Sequence, residues 1–203
     1  MHGFSDFLSD ALADGNTDYV YSSNIEAQTL LTEFNMRIAD VVAQHGLDAT
    51  GKAIWYLYGC GSNTTHDALD PTADSGLTQF YDSIRHLYDS GFASHCEDCA
   101  RHSDRNPNSF ATACYMLWDM DSGLEYLTLR GRPELFPFAE QLIDYGLGHS
   151  HAACQESLLH CVGHIQHERK AFVTDKITAF LRRKDLKPDI REYAVQCRTG
   201  MIL

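Results

Sequence analysis

The sequence predicts an all-α fold. Apolar residues recur with a period of about 3.6 in almost every segment, and no run alternates apolar with polar between Asn-Gly or Asp-Gly turns. A third sign is an internal echo. ACQESLLHCVGHI (153–165) and IREYAVQCRTGMIL (190–203) each carry an early Glu, a central Cys and a late Gly, and Cys161 lies 36 residues before Cys197. The amphipathic stretch Ala171–Arg183 sits between them. That spacing predicts antiparallel helix pairs stacked as an α-solenoid in the C-terminal part. The 203 residues read as one domain, 1–203, with an acidic helical part over about 1–105 and a paired-helix part over about 106–203.

The elements follow in order. Phe4–Leu12 is a short amphipathic segment, and Ser22, Ser23 or Asn24 suits the cap of the next helix. Ile25–His45 places Leu30, Leu31, Phe34, Ile38, Val41 and Val42 at helical spacing, and Gly46 is the stop. Asp48 or Thr50 opens a helix through Ile54, Trp55, Leu57 and Tyr58 that ends near Gly59. Ser62–Ser75 is polar and reads as a loop. Leu77–Tyr88 is helical up to Gly91, and Phe92–His102 is helical or a tight connection. Pro107 suits the first turn of a helix over Phe110–Trp118. A short piece, Leu124–Leu129, precedes Glu134–Leu147, which Pro133 opens. Three helices complete the chain: Ser150–Glu168, Ala171–Arg183, and Ile190–Leu203 after Pro188.

The segment KPDIREYAVQCRTGMIL resembles the second half of a HEAT-like repeat of the short, lyase-associated kind. Lys187-Pro188-Asp189-Ile190-Arg191 and Ala194 match its acid–apolar–Arg turn and small-residue helix. CQESLLHCVGHI departs from the pattern, with Gln155 or Glu156 at the Arg-type position. The resemblance covers roughly 133–203 and implies an architecture, not a chemistry.

Composition narrows the class. No apolar run is long enough to span a membrane, and acidic residues stand where a signal peptide would be basic, so a cytoplasmic protein is expected. The seven cysteines are odd in number and scattered, which predicts reduced thiols packed as small hydrophobes. The net charge of −12 sits in residues 1–100, where fifteen acids face Arg37, Lys52 and Arg85. That half argues against nucleic acid. The basic residues from Arg169 to Arg191 read as a solvated helix face, or as a docking patch for an acidic partner.

Chemistry concentrates in SHAACQESLLHCVGHIQHE (150–168). On a helix, Cys154, Leu158, Cys161, Val162 and Ile165 take one face, and Glu156, His160, His164 and His167 take the other, within an arc of roughly 80°. Histidines at i and i+4 hold a divalent transition metal such as zinc, and Glu156 one turn earlier is a candidate third ligand. Cys161 stands where a zincin has its Glu, so no zincin is implied. The bland alternative is a polar stripe facing solvent or a neighbouring helix. HCEDCARH offers Cys96, Cys99 and His102 at zinc-ligand spacing, but it lacks a second Cys pair, and Cys114 or a central-helix His would have to complete it. Gly163, mid-helix, marks the close approach of another helix. No Walker loop, dinucleotide fingerprint or serine elbow is present.

Two function classes fit. One is a helical-repeat scaffold with a protein partner. The other is a metal- or histidine-dependent enzyme, hydrolase-like, working through Glu156, His160 and His164. Enclosure separates them, because an enzyme needs the histidines in a pocket with at least one more convergent polar group. Stability is expected to fall between about pH 7 and pH 5 as the stripe charges, and the sign reverses where Glu156 dominates the histidines.

Overall fold

The computed structural model describes residues 3–13, 19–59, 61–101, 104–105, 107–120 and 124–202. Those residues contain helices and turns and no strand. The helices are α1 Phe4–Leu12, α2 Asn24–Met36, α3 Ile38–His45, α4 Leu47–Tyr58, α5 Thr64–Ala68, α6 Leu77–His86, α7 Ala93–His95, α8 Ser109–Met116, α9 Phe136–Gly148, α10 Ala152–His164, α11 Lys170–Leu181 and α12 Pro188–Thr199. No described helix is long and apolar enough to cross a membrane.

Local chemistry sets most boundaries. Ser23 caps α2 by accepting the Glu26 N–H at 3.2 Å. Gly46 ends α3 at φ 81°, a value that disfavours a side chain. Pro188 starts α12, where no N–H is needed. The expected single helix over Ile25–His45 is broken at Arg37, which carries φ −103° and ψ 12°. Neither Gly nor Pro marks this break. Instead Arg37 pairs with Glu33 at 3.1 Å and stacks on the Phe4 ring at 4.4 Å. The expected loop over Ser62–Ser75 contains α5 and a 3-10 turn at Pro71–Gly76. Thr64 and Thr65 are buried, and their hydroxyls meet partners from outside the segment. Thr65 donates to the Leu57 carbonyl at 2.9 Å, and Thr64 shares a hydrogen bond with Tyr21 at 2.5 Å. α6 runs into a π-helical turn at Leu87–Phe92, which swings Tyr88 and Phe92 into the core.

The helices pack in two rows. In one row α4 meets α8, α8 meets α10, and α10 meets α12; in the other α2 meets α6, α6 meets α9, and α9 meets α11. One continuous hydrophobic core runs through both, from Phe7 to Cys197, with Trp118 and Tyr58 among its largest buried side chains. α10 is the centre. Nearly every residue from Ala152 to Gly163 is buried, so Glu156 and His160 face protein, while His164 is half-buried and His167 is exposed. Its amino end is held by Asp98, whose carboxylate accepts the Ala152 N–H at 2.7 Å. Gly163 lets the carboxyl-terminal end of the chain close in: a Cβ there would lie 2.9 Å from Ile202 and 3.4 Å from the Cys197 Cα. The basic residues from Arg169 to Arg191 are largely engaged within the chain. Lys176 bridges Glu140 and Asp144, Arg183 pairs with Asp185, and Arg191 donates to the Leu181 and Arg183 carbonyls. Cys114, Cys154, Cys161 and Cys197 are buried thiols outside any disulfide, and Cys96 and Cys99 are half-buried thiols, likewise in no disulfide.

Candidate metal centre

Helical periodicity brings His160 and His164 together, one turn apart on α10. Their Nε2 atoms lie 3.1 Å apart. The third group is Asp119, in the turn after α8. Trp118 and Met120 are both fully buried, and with the core holding the residue on each side the Asp119 carboxylate is left half-exposed. The Asp119 N–H donates to the Met116 carbonyl at 2.8 Å and closes the turn. Its Oδ2 then stands 3.1 Å from His164 Nε2 and 3.7 Å from His160 Nε2.

These lengths can be tested against an ion. A triangle with sides of 3.1, 3.1 and 3.7 Å has its equidistant point about 1.9 Å from each corner. Bonds from zinc to imidazole nitrogen and carboxylate oxygen are about 2.0–2.2 Å. The three atoms are therefore spaced as ligands of one first-row ion. Among the described residues this is the one group of three or more His, Cys, Asp or Glu whose ligand atoms all lie within 4.8 Å of one another.

The surroundings favour the ligand form of His160. It is 1% exposed, and burial, with His164 as the lesser cause, pulls its pKa down to about 3. The ring is neutral at any ordinary pH, as coordination requires. Its other nitrogen, Nδ1, lies 2.6 Å from the Tyr193 hydroxyl on α12. Tyr193 in turn hydrogen-bonds Tyr115 of α8 at 3.0 Å, and the Tyr115 ring packs on His160 at 4.2 Å between centroids. This is the outer-shell support that orients metal-binding imidazoles. His164 and Asp119 keep about a third of their side-chain surface in solvent, 31% and 36%, so the group is open on one side.

The other residues singled out by sequence fall elsewhere. Glu156 is on α10, one turn before His160, and it belongs to no such ligand group. Its Oε2 accepts the Arg101 N–H at 2.5 Å, and burial pushes its pKa up to about 7. His167 is exposed in the turn beyond α10. Cys96 contacts Cys114, which also contacts Cys154, while Cys99 points toward Glu97 at 3.9 Å. Cys96 and Cys99 enter no ligand group of the described residues, and His102 lies outside them. Asp119 was not among the sequence candidates. Its only signal is an acid set between two large apolar residues, Trp118 and Met120, where a helical pattern stops.

The molecule is thus an all-α protein with an Asp-His-His group spaced to hold a metal ion. Comparison with known proteins returns no matching family model, no matching curated protein and no matching solved structure.

Proposed function

We propose that Asp119, His160 and His164 form a mononuclear metal centre and that the protein is a metal-dependent enzyme of hydrolytic type. The observation that carries this reading is the triangle of ligand atoms, matched to the bond lengths of one ion. Three protein ligands with an open side favour catalysis over a structural role, since structural zinc is usually closed by four. Two nitrogens and one oxygen suit zinc or another first-row divalent ion. Such an ion, when bound, supplies Lewis acidity and a lowered pKa for a bound water. The chain's own part is to keep His160 neutral and oriented through Tyr193, and to leave the Asp119 and His164 side open to solvent. Architecture supports a stacked-pair reading too. The packing of α9 on α10 and of α11 on α12 is what HEAT-like pairs over about 133–203 would form, and we include that arrangement in the proposal.

Elemental analysis of protein purified without a histidine tag tests it. About one equivalent of transition metal is expected in the wild type, falling below about a tenth in His160→Gln and Asp119→Asn. A wild type that binds no metal, even after incubation with zinc, manganese or ferrous iron, overturns the centre. The interaction scaffold with a protein partner is then the reading that stands.

A further inference from the structure

A cleft of about 830 Å³ opens where α8, α10 and α12 meet. Tyr115, Tyr193, Met201 and Ile202 form its apolar walls. That volume and lining are those of a small-molecule site, where a few polar groups fix orientation. The charged groups in the lining are Arg101, Glu156 and Glu192.

Arg101 is the one cation among the described residues of this lining. Its Nη2 donates to the Thr112 hydroxyl at 3.2 Å, yet its Nε is buried with no hydrogen-bond partner. Glu156 attracts it electrostatically, and the buried Nε is closed to a ligand. A guanidinium carries five N–H donors, so the Thr112 bond leaves Nη donors for an acceptor in the cleft. Guanidinium geometry favours a carboxylate or phosphate.

The two acids choose between those. Glu192 is exposed at the rim, and Glu156 lies deeper, beside Arg101. Both repel a dianion such as a phosphate monoester more than a single carboxylate. Burial pushes Glu156 up to about 7, so at neutral pH it is partly protonated and opposes a monoanion only weakly.

We propose that this cleft binds a small monocarboxylic acid with an apolar, aromatic-sized body, its carboxylate on Arg101 and its body against Tyr115, Tyr193, Met201 and Ile202. The proposal does not rest on the metal centre, and its test uses metal-free protein. Chelator-treated protein is titrated with 2-naphthoate and with its neutral isostere 2-naphthamide, followed by calorimetry. Naphthoate is expected to bind at least about tenfold more tightly than the amide, the usual advantage of a charge-assisted bond. Arg101→Gln, which keeps the backbone N–H to Glu156, is expected to abolish that preference. Glu192→Gln, an exposed change with little risk to folding, is expected to strengthen naphthoate binding severalfold and leave the amide unchanged. Equal binding of acid and amide by the wild type overturns the proposal, as does no binding of either at millimolar concentration. Tighter binding of 2-naphthyl phosphate than of naphthoate overturns the choice of a monocarboxylate. Should Arg101→Gln fail to fold, the acid–amide comparison and Glu192→Gln decide alone.

Discussion

At the scale of single residues, His160 and Glu156 carry opposite linked protons. The folded pKa of His160, about 3, lies below its unfolded value near 6.5. Its contribution to stability is full above the unfolded value and lost as pH falls toward 3. The folded pKa of Glu156, about 7, lies above its unfolded value of 4.5. Its contribution is full below 4.5 and lost as pH rises to 7. Between about pH 4.5 and 6.5 the two slopes offset, which corrects the fall expected from the histidine stripe alone. Metal-free wild type should therefore be nearly flat across this window. His160→Gln should lose about 2 kcal/mol as pH rises through it, and Glu156→Gln should gain about as much. Urea melts at half-unit pH steps, with chelator present, check this; three parallel curves refute it. Tyr193 belongs to the same scale. When His160 coordinates through Nε2, its Nδ1–H donates to the Tyr193 oxygen, so Tyr193→Phe removes the acceptor that fixes the tautomer. Zinc affinity is expected to drop about 10- to 100-fold, with thermal stability changed far less. A competition titration against a chromophoric chelator measures it, and unchanged affinity would remove Tyr193 from the centre.

At the scale of elements, close helix contacts bring both halves of the site together. α4 and α8 approach so closely at Gly51 that a Cβ there would lie 2.3 Å from the Phe110 backbone nitrogen. That contact seats α8, which carries Tyr115 and leads into Asp119. Gly51→Ala has no flexible side chain to push aside and should destabilise by about 1–3 kcal/mol. Gly148→Ala, where nothing lies within 4 Å, should stay within about half a kcal/mol of wild type. Chemical denaturation of the two variants side by side reads the difference. Equal stabilities would mean that the α4–α8 contact relaxes freely.

At the scale of the molecule, the proposed centre would make metal binding and folding one equilibrium. Asp119 and His164 are 45 residues apart in the chain, so an ion that bridges them binds the folded state and not the unfolded one. Zinc at about a hundred times its dissociation constant should raise stability by about 2.7 kcal/mol. Asp119→Asn should lose most of that gain while melting close to wild type without metal. Thermal melts with and without zinc test this, and an equal shift in both proteins would place the metal elsewhere.

Periodicity and punctuation in the sequence determined the helical class, a cap among Ser22, Ser23 and Asn24, the stops at Gly46 and Gly59, and the pairing of His160 with His164. Each depends on contacts within about one turn, where residue order fixes geometry. Gly163 was legible as a point of close approach because a mid-helix glycine has few other uses. The break at Arg37 and the short helix at Thr64–Ala68 were not legible, since their partners, Phe4, Leu57 and Tyr21, come from other segments. The third member of the candidate group was not legible for the same reason. Glu156 has the right spacing along α10, but the Arg101 backbone claims its carboxylate. Asp119, with no periodic relation to either histidine, is delivered by the packing of α8 on α10. The tertiary structure alone also decided that Glu156 and His160 are buried and His164 only partly so, which turns the stripe from a solvated face into the wall of a candidate site. A helix's own sequence states which face is polar; only the neighbours on that face decide whether it meets water, a carbonyl or a metal.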